Sequence, residues 1–103
     1  MSDAASQLAS YRQTIDNLDA ALVHILAERF RCTDQVGLLK AMHDLPAVDP
    51  GREDRQFSRL RALARDSQVD QDFIVHLMKS IIKQVVQRHR QIAAEHSSAP
   101  FKN

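Results

Sequence analysis

Apolar residues recur with an unbroken three-four spacing through the first part of the chain: Leu8, Tyr11, Ile15, Leu18, Leu22, Ile25, then Arg29, Cys32, Val36 and Leu39. This is the period of a coiled-coil seam, apolar except at Arg29, and it contains no proline and only one glycine, Gly37. The pattern predicts one helix over roughly the first 43 residues. From Ser6 to His43 it would be roughly 57 Å long at ~1.5 Å per residue, whereas a compact 100-residue domain has a radius of gyration of ~13 Å. Such a helix projects beyond its own domain, and its apolar seam needs another chain to cover it. Geometry therefore predicts an intertwined homodimer.

The pattern breaks between Asp44 and Gly51, where two of the three prolines and one of the two glycines fall. Asp49 followed by Pro50 is an N-cap with proline in the first helical position, so a second helix starts there. It runs to about Asp66 and turns Phe57, Leu60, Leu63 and Ala64 inward. After a break at Ser67 to Asp70, Asp70 caps a third helix, striped by Phe73, Ile74, Leu77, Ile81, Val85, His89 and Ile92 to about His96. The tail, 97–103, is expected to fray. The expected class is all-α: three helices per chain, the first very long, in a single domain over 1–103 with its core at about 8–96.

Composition narrows the function. Two glycines and three prolines in 103 residues leave little room for the turns of a sandwich or barrel. Cys32 stands alone, so neither an intramolecular disulfide nor a cysteine zinc site is expected. The N-terminus has no basic segment followed by an apolar one, and no run approaches the ~20 apolar residues that span a bilayer. A cytoplasmic protein without membrane contact is expected. Fourteen Lys and Arg against thirteen Asp and Glu give a net charge of +1, which announces no nucleic-acid partner. Ten of the fourteen cations are Arg, whose planar fork suits carboxylate and phosphate.

Arg29 is the first chemical anomaly. A cation on the seam fits either a structural role, as a buried ion pair or a register-setting polar residue, or a ligand contact, and pattern alone leaves both open. Lys40, eleven residues on, returns to nearly the same face, with Thr33, Val36 and Gly37 between. Two long cations flanking a glycine could enclose a small anion. Arg12 lies about 25 Å from Arg29 along the axis and roughly 100° around it. It reads as a solvated side chain unless a partner's antiparallel helix brings it to that pocket. Arg52 opposes the macrodipole in the second helix's first turn, a placement that a bound carboxylate would offset; Glu53 follows it. Arg55, Arg59, Arg61 and Arg65 continue the run, but interleaved acids favour a solvated face over a nucleic-acid surface. His89 on an apolar stripe reads as a satisfied core residue. His24, His43, His76 and His96 show no metal spacing, and no phosphate loop or nucleophile motif is present.

Together, Arg12 in Tyr-Arg-Gln-Thr-Ile-Asp-Asn-Leu-Asp, Arg29 in Leu-Ala-Glu-Arg-Phe, Val36-Gly37-x-x-Lys40 and Asp49-x-x-Arg52-Glu53 resemble the successive signatures of the all-helical chorismate mutases. The resemblance runs from about Leu8 to Ile92. It is nearest to the monofunctional bacterial subgroup, whose third helix ends in a pattern like Ile81-Ile82-x-x-Val85-x-x-x-His89. It implies an isomerase that rearranges chorismate, a dianion, to prephenate on the route to phenylalanine and tyrosine, with no cofactor, metal or nucleophile. It further implies that Arg12 from the partner chain and Arg29 hold the two carboxylates, and that Lys40 and His89 face the ether oxygen. Glu53 would accept the ring hydroxyl, while Asp49 and Arg52 order the loop and the ligand's polar edge. Better-known bifunctional relatives hold Gln and Ser where this chain has His89 and Val85, so a contact at Val85 is missing or replaced. The rival readings are an isochorismate pyruvate lyase on the same fold and a non-catalytic helical dimer that acts as a binding module.

Overall fold

The structure, a computed structural model, describes residues 3–98. Among them are three helices, α1 (Ala4–Met42), α2 (Pro50–Asp66) and α3 (Gln71–Ser98), and no strand. The all-α reading holds, and each helix starts or ends within two residues of its expected bound. Ser97 and Ser98 are helical; the rest of the expected tail lies outside the described residues. No described helix is long and apolar enough to cross a membrane.

The chain divides into two compact units, Met1–Cys32 and Thr33–Asn103. In the first, α1 starts on Asp3, whose carboxylate accepts the Ser6 N–H at 2.6 Å. That bond holds the Asp3 carboxyl below the usual carboxylate range. The seam residues Leu8, Tyr11, Ile15, Leu18, Leu22 and Ile25 are all exposed, Tyr11 to 68%. A single chain leaves this apolar face in water.

The second unit holds the last turns of α1 together with α2 and α3, which pack on each other. Two helix ends here use one device. At the end of α1, the Leu45 N–H bonds the Lys40 carbonyl at 2.8 Å, and Asp44 takes φ 53°. At the end of α2, the Val69 N–H bonds the Ala64 carbonyl at 2.9 Å, and Gln68 takes φ 58°. This is a Schellman-type closure that satisfies orphan carbonyls through a left-handed residue, usually glycine. Neither site has one, so the scarcity of glycine did not exclude tight turns. Both following helices are capped as expected: Asp49 Oδ1 accepts the Arg52 N–H at 3.1 Å, and Asp70 Oδ1 accepts the Phe73 N–H at 2.8 Å.

The core consists of Ala41, Ala64, Val75 and Ile92 with His89. Two parts of the expected inner faces are corrected. Leu63 is exposed on α2, and Phe73 (58%) and Leu77 (40%) are exposed on α3, where Val75 is buried instead. Val75 lies about 200° around the helix from both. α3 carries apolar residues on more than one side, and packing with α2 selects the side that includes Val75.

Candidate active site

Arg29 stands half-buried on α1, and its Nη1 is buried without a hydrogen-bond partner. The carboxylate beside it in sequence is already engaged: Arg31 bridges to Glu28, and that contact holds the exposed Glu28 carboxyl below the usual range. Of the two readings of Arg29 that the pattern left open, the local ion pair therefore goes to Arg31. A buried guanidinium N–H without an acceptor is a donor in waiting, because leaving it unmet costs about 1–3 kcal/mol or more for a charged group. Arg12 is exposed in the same unit.

In the second unit, Lys40 is half-buried and its Nζ donates to the Ala47 carbonyl at 3.3 Å. Lys40 and Asp49 border one cavity of about 420 Å³, walled by Leu45, Pro46, Val48 and Pro50. The loop turns back over the end of α1 because the Asp44 closure reverses the chain and the Asp49 cap sets the start of α2. Glu53 lines an adjoining groove of about 400 Å³ between α2 and α3, and Val48 borders both spaces. Arg52 is exposed in the first turn of α2, and Val85 is half-buried on α3.

His89 is 5% exposed, and its Nε2 lies 2.7 Å from the Thr33 carbonyl oxygen. A carbonyl oxygen can only accept, so Nε2 carries the proton and donates. Nδ1 is buried with no partner. The ring sits against Gly37, where an added Cβ would meet His89 Cδ2 at 2.7 Å and Ile92 Cδ1 at 3.0 Å. Gly37 is thus the residue that lets α1 and α3 approach. The sequence signalled Gly37 as a place for an anion to near the backbone, whereas here it admits an imidazole.

Sequence reasoning passed over the groove's other wall. Ile82 and Val86 are half-buried in it, and Lys79, Lys83 and Arg90 line it from α3. Their signal was a second stripe on α3 one position beyond the expected one. Among the described residues no cluster of three metal-ligating side chains occurs.

The profile of the chorismate mutase type II family matches residues 11–90. The chain is 29% identical to a chorismate mutase of Methanocaldococcus jannaschii over 77 residues, covering 75% of this chain and 78% of that one. It is 30% identical to the bifunctional chorismate mutase/prephenate dehydratase of Escherichia coli K12 over 89 residues, 86% of this chain but 23% of the relative. It is also similar to a 4-amino-4-deoxychorismate mutase of Streptomyces venezuelae, 28% identical over 80 residues, 78% of each chain.

Proposed function

The chain belongs to the chorismate mutase type II family, and from that premise we propose how it acts as an enzyme of the isomerase class, rearranging chorismate to prephenate for aromatic amino acid synthesis. The observation that carries this is the family match over residues 11–90, which spans every candidate site residue from Arg12 to His89. The reaction is a unimolecular pericyclic shift, so the protein's part is to hold one conformer and to stabilise charge as it develops.

In this reading Arg29 and the partner's copy of Arg12 hold the two carboxylates. The unpartnered Nη1 of Arg29 supports that role. As the ether C–O bond breaks, negative charge grows on its oxygen, and Lys40 with His89 face it. Lys40 is suited because its present acceptor is a neutral loop carbonyl, which a stronger anion displaces. His89 can give only Nδ1, since Nε2 is committed to Thr33. Glu53 accepts the ring hydroxyl, Asp49 and Arg52 order the loop, and Val85 offers an apolar wall. The whole chain acts as one domain completed by a second copy in an intertwined homodimer, which covers the exposed seam of α1. It works in the cytoplasm, a reading supported by its lone cysteine.

The test is to incubate the purified protein separately with chorismate, 4-amino-4-deoxychorismate and isochorismate. Prephenate from chorismate supports the proposal. Salicylate with pyruvate from isochorismate, and no prephenate, would replace it with the lyase.

A further inference from the structure

The groove between α2 and α3 has a floor and a rim of different character. Its floor is half-buried and formed by Val48, Phe57, Ile82 and Val86, with the Glu53 carboxylate at one side. Its rim is exposed and cationic: Lys79, Lys83 and Arg90. None of the three forms an ion pair among the described residues, whereas Arg31, Arg61, Arg65 and Arg88 all do. Three unpaired cations against one carboxylate make a local positive field in a chain whose net charge is only +1.

The helix period relates this rim to the proposed site. At 100° per residue, Lys79, Lys83 and Arg90 fall within a stripe about 40° wide along one side of α3. Val86 and Ile82 come next around the helix, and His89 and Val85 after them. The apolar floor therefore lies between the cations and the candidate catalytic positions on the same helix, and Glu53 faces that floor from α2. Lys79 is partly fixed there, its Nζ 5.8 Å from the centre of the Phe57 ring.

From this we infer that Lys79, Lys83 and Arg90 are steering residues that gather the dianionic substrate at the Glu53 groove and lower its KM, without contacting the reacting atoms. The inference rests on the proposed mutase reading. A cleft edged by charges of one sign over a low-dielectric floor raises the local concentration of a counter-ion by factors of 10 to 10³. The cations stand on exposed flexible stems, so they attract the dianion over a distance set by salt and do not define its bound geometry. Two rim charges one turn apart, with a third two turns on, attract two carboxylates without demanding one orientation.

The experiment is steady-state kinetics on chorismate with the triple variant Lys79→Gln, Lys83→Gln, Arg90→Gln, beside Arg65→Gln, which removes an exposed charge elsewhere on α2. At ionic strength near 10 mM, where the Debye length is about 30 Å, the triple variant is expected to raise KM about tenfold and to leave kcat within about twofold. At about 1 M salt, where that length is about 3 Å, its KM and the wild-type KM should converge. Arg65→Gln should follow the wild type throughout, and the charge-keeping double variant Lys83→Arg, Arg90→Lys should keep the wild-type low-salt KM. An unchanged low-salt KM in the triple variant, an equal shift in Arg65→Gln, or a fall in kcat matching the rise in KM overturns the inference while the mutase reading stands. A wild-type protein that converts no chorismate overturns both.

Discussion

His89 donates its Nε2–H to the carbonyl oxygen of Thr33 at 2.7 Å, joining α3 to the last turns of α1. In an α-helix that carbonyl also serves the N–H four residues on, which here is Gly37, the residue against which the imidazole ring rests. The bond leaves Nδ1 as the only ring position that can take a further proton.

A donor at Nδ1 exists only in the imidazolium, which is present at low pH and lost as pH rises. Turnover is therefore expected to depend on pH. His89→Gln, whose amide keeps its N–H groups at every pH, should give a flat profile. An identical pH–rate profile in the variant would remove His89 from the mechanism.

Gly37→Ala opposes two effects. Alanine gains roughly 1 kcal/mol of helix propensity over glycine. Its Cβ would, however, stand 2.7 Å from His89 Cδ2 and 3.0 Å from Ile92 Cδ1, and overpacking typically costs about 1–3 kcal/mol. Both neighbours are buried, so the ring has little room to yield. Thermal denaturation should show a less stable protein, and turnover should drop because the His89 ring moves. A variant more stable than wild type would mean that the two helices separate at little cost.

Lys40→Ala removes a preorganised donor. Such losses typically cost about 10²–10³ in rate, while the helical circular dichroism should be unchanged because the bond the side chain gives up is to a loop carbonyl. Near-normal turnover in this variant would sink the assignment.

Arg12 and Arg29 serve one site from two chains if the homodimer is intertwined. Arg12→Ala and Arg29→Ala should each be nearly inactive alone. Mixed after unfolding and refolding, they should recover about a quarter of wild-type activity, since half the dimers would be mixed and each of these would hold one intact site. Absence of recovery, with mixed dimers demonstrated, would place both arginines in the same chain's site.

Gln68 holds a left-handed backbone at φ 58° without the freedom of glycine. Gln68→Gly should stabilise the protein by about 1 kcal/mol in chemical denaturation, with kinetics unaltered. No gain would show that the strain is relieved elsewhere in the turn.

Much of this protein is legible in local chemistry along the chain. Helix extents follow from apolar period, proline placement and the Asp49 and Asp70 caps, all of which act within a few residues, and the folded chain reproduces them. The order and spacing of Arg12, Arg29, Lys40, Asp49, Arg52 and Glu53 sufficed for the family, because those intervals are set along the chain. What tertiary packing decided is which side of each helix turns inward. α3 bears apolar residues on several sides, and only its contact with α2 buries Val75 rather than Phe73 or Leu77. Packing of α3 on the last turns of α1 commits His89 Nε2 to Thr33, and its packing on α2 brings three cations of α3 to the groove that Glu53 lines. Those outcomes join residues dozens of positions apart, and a pattern read along one helix carries no record of the surface that will meet it.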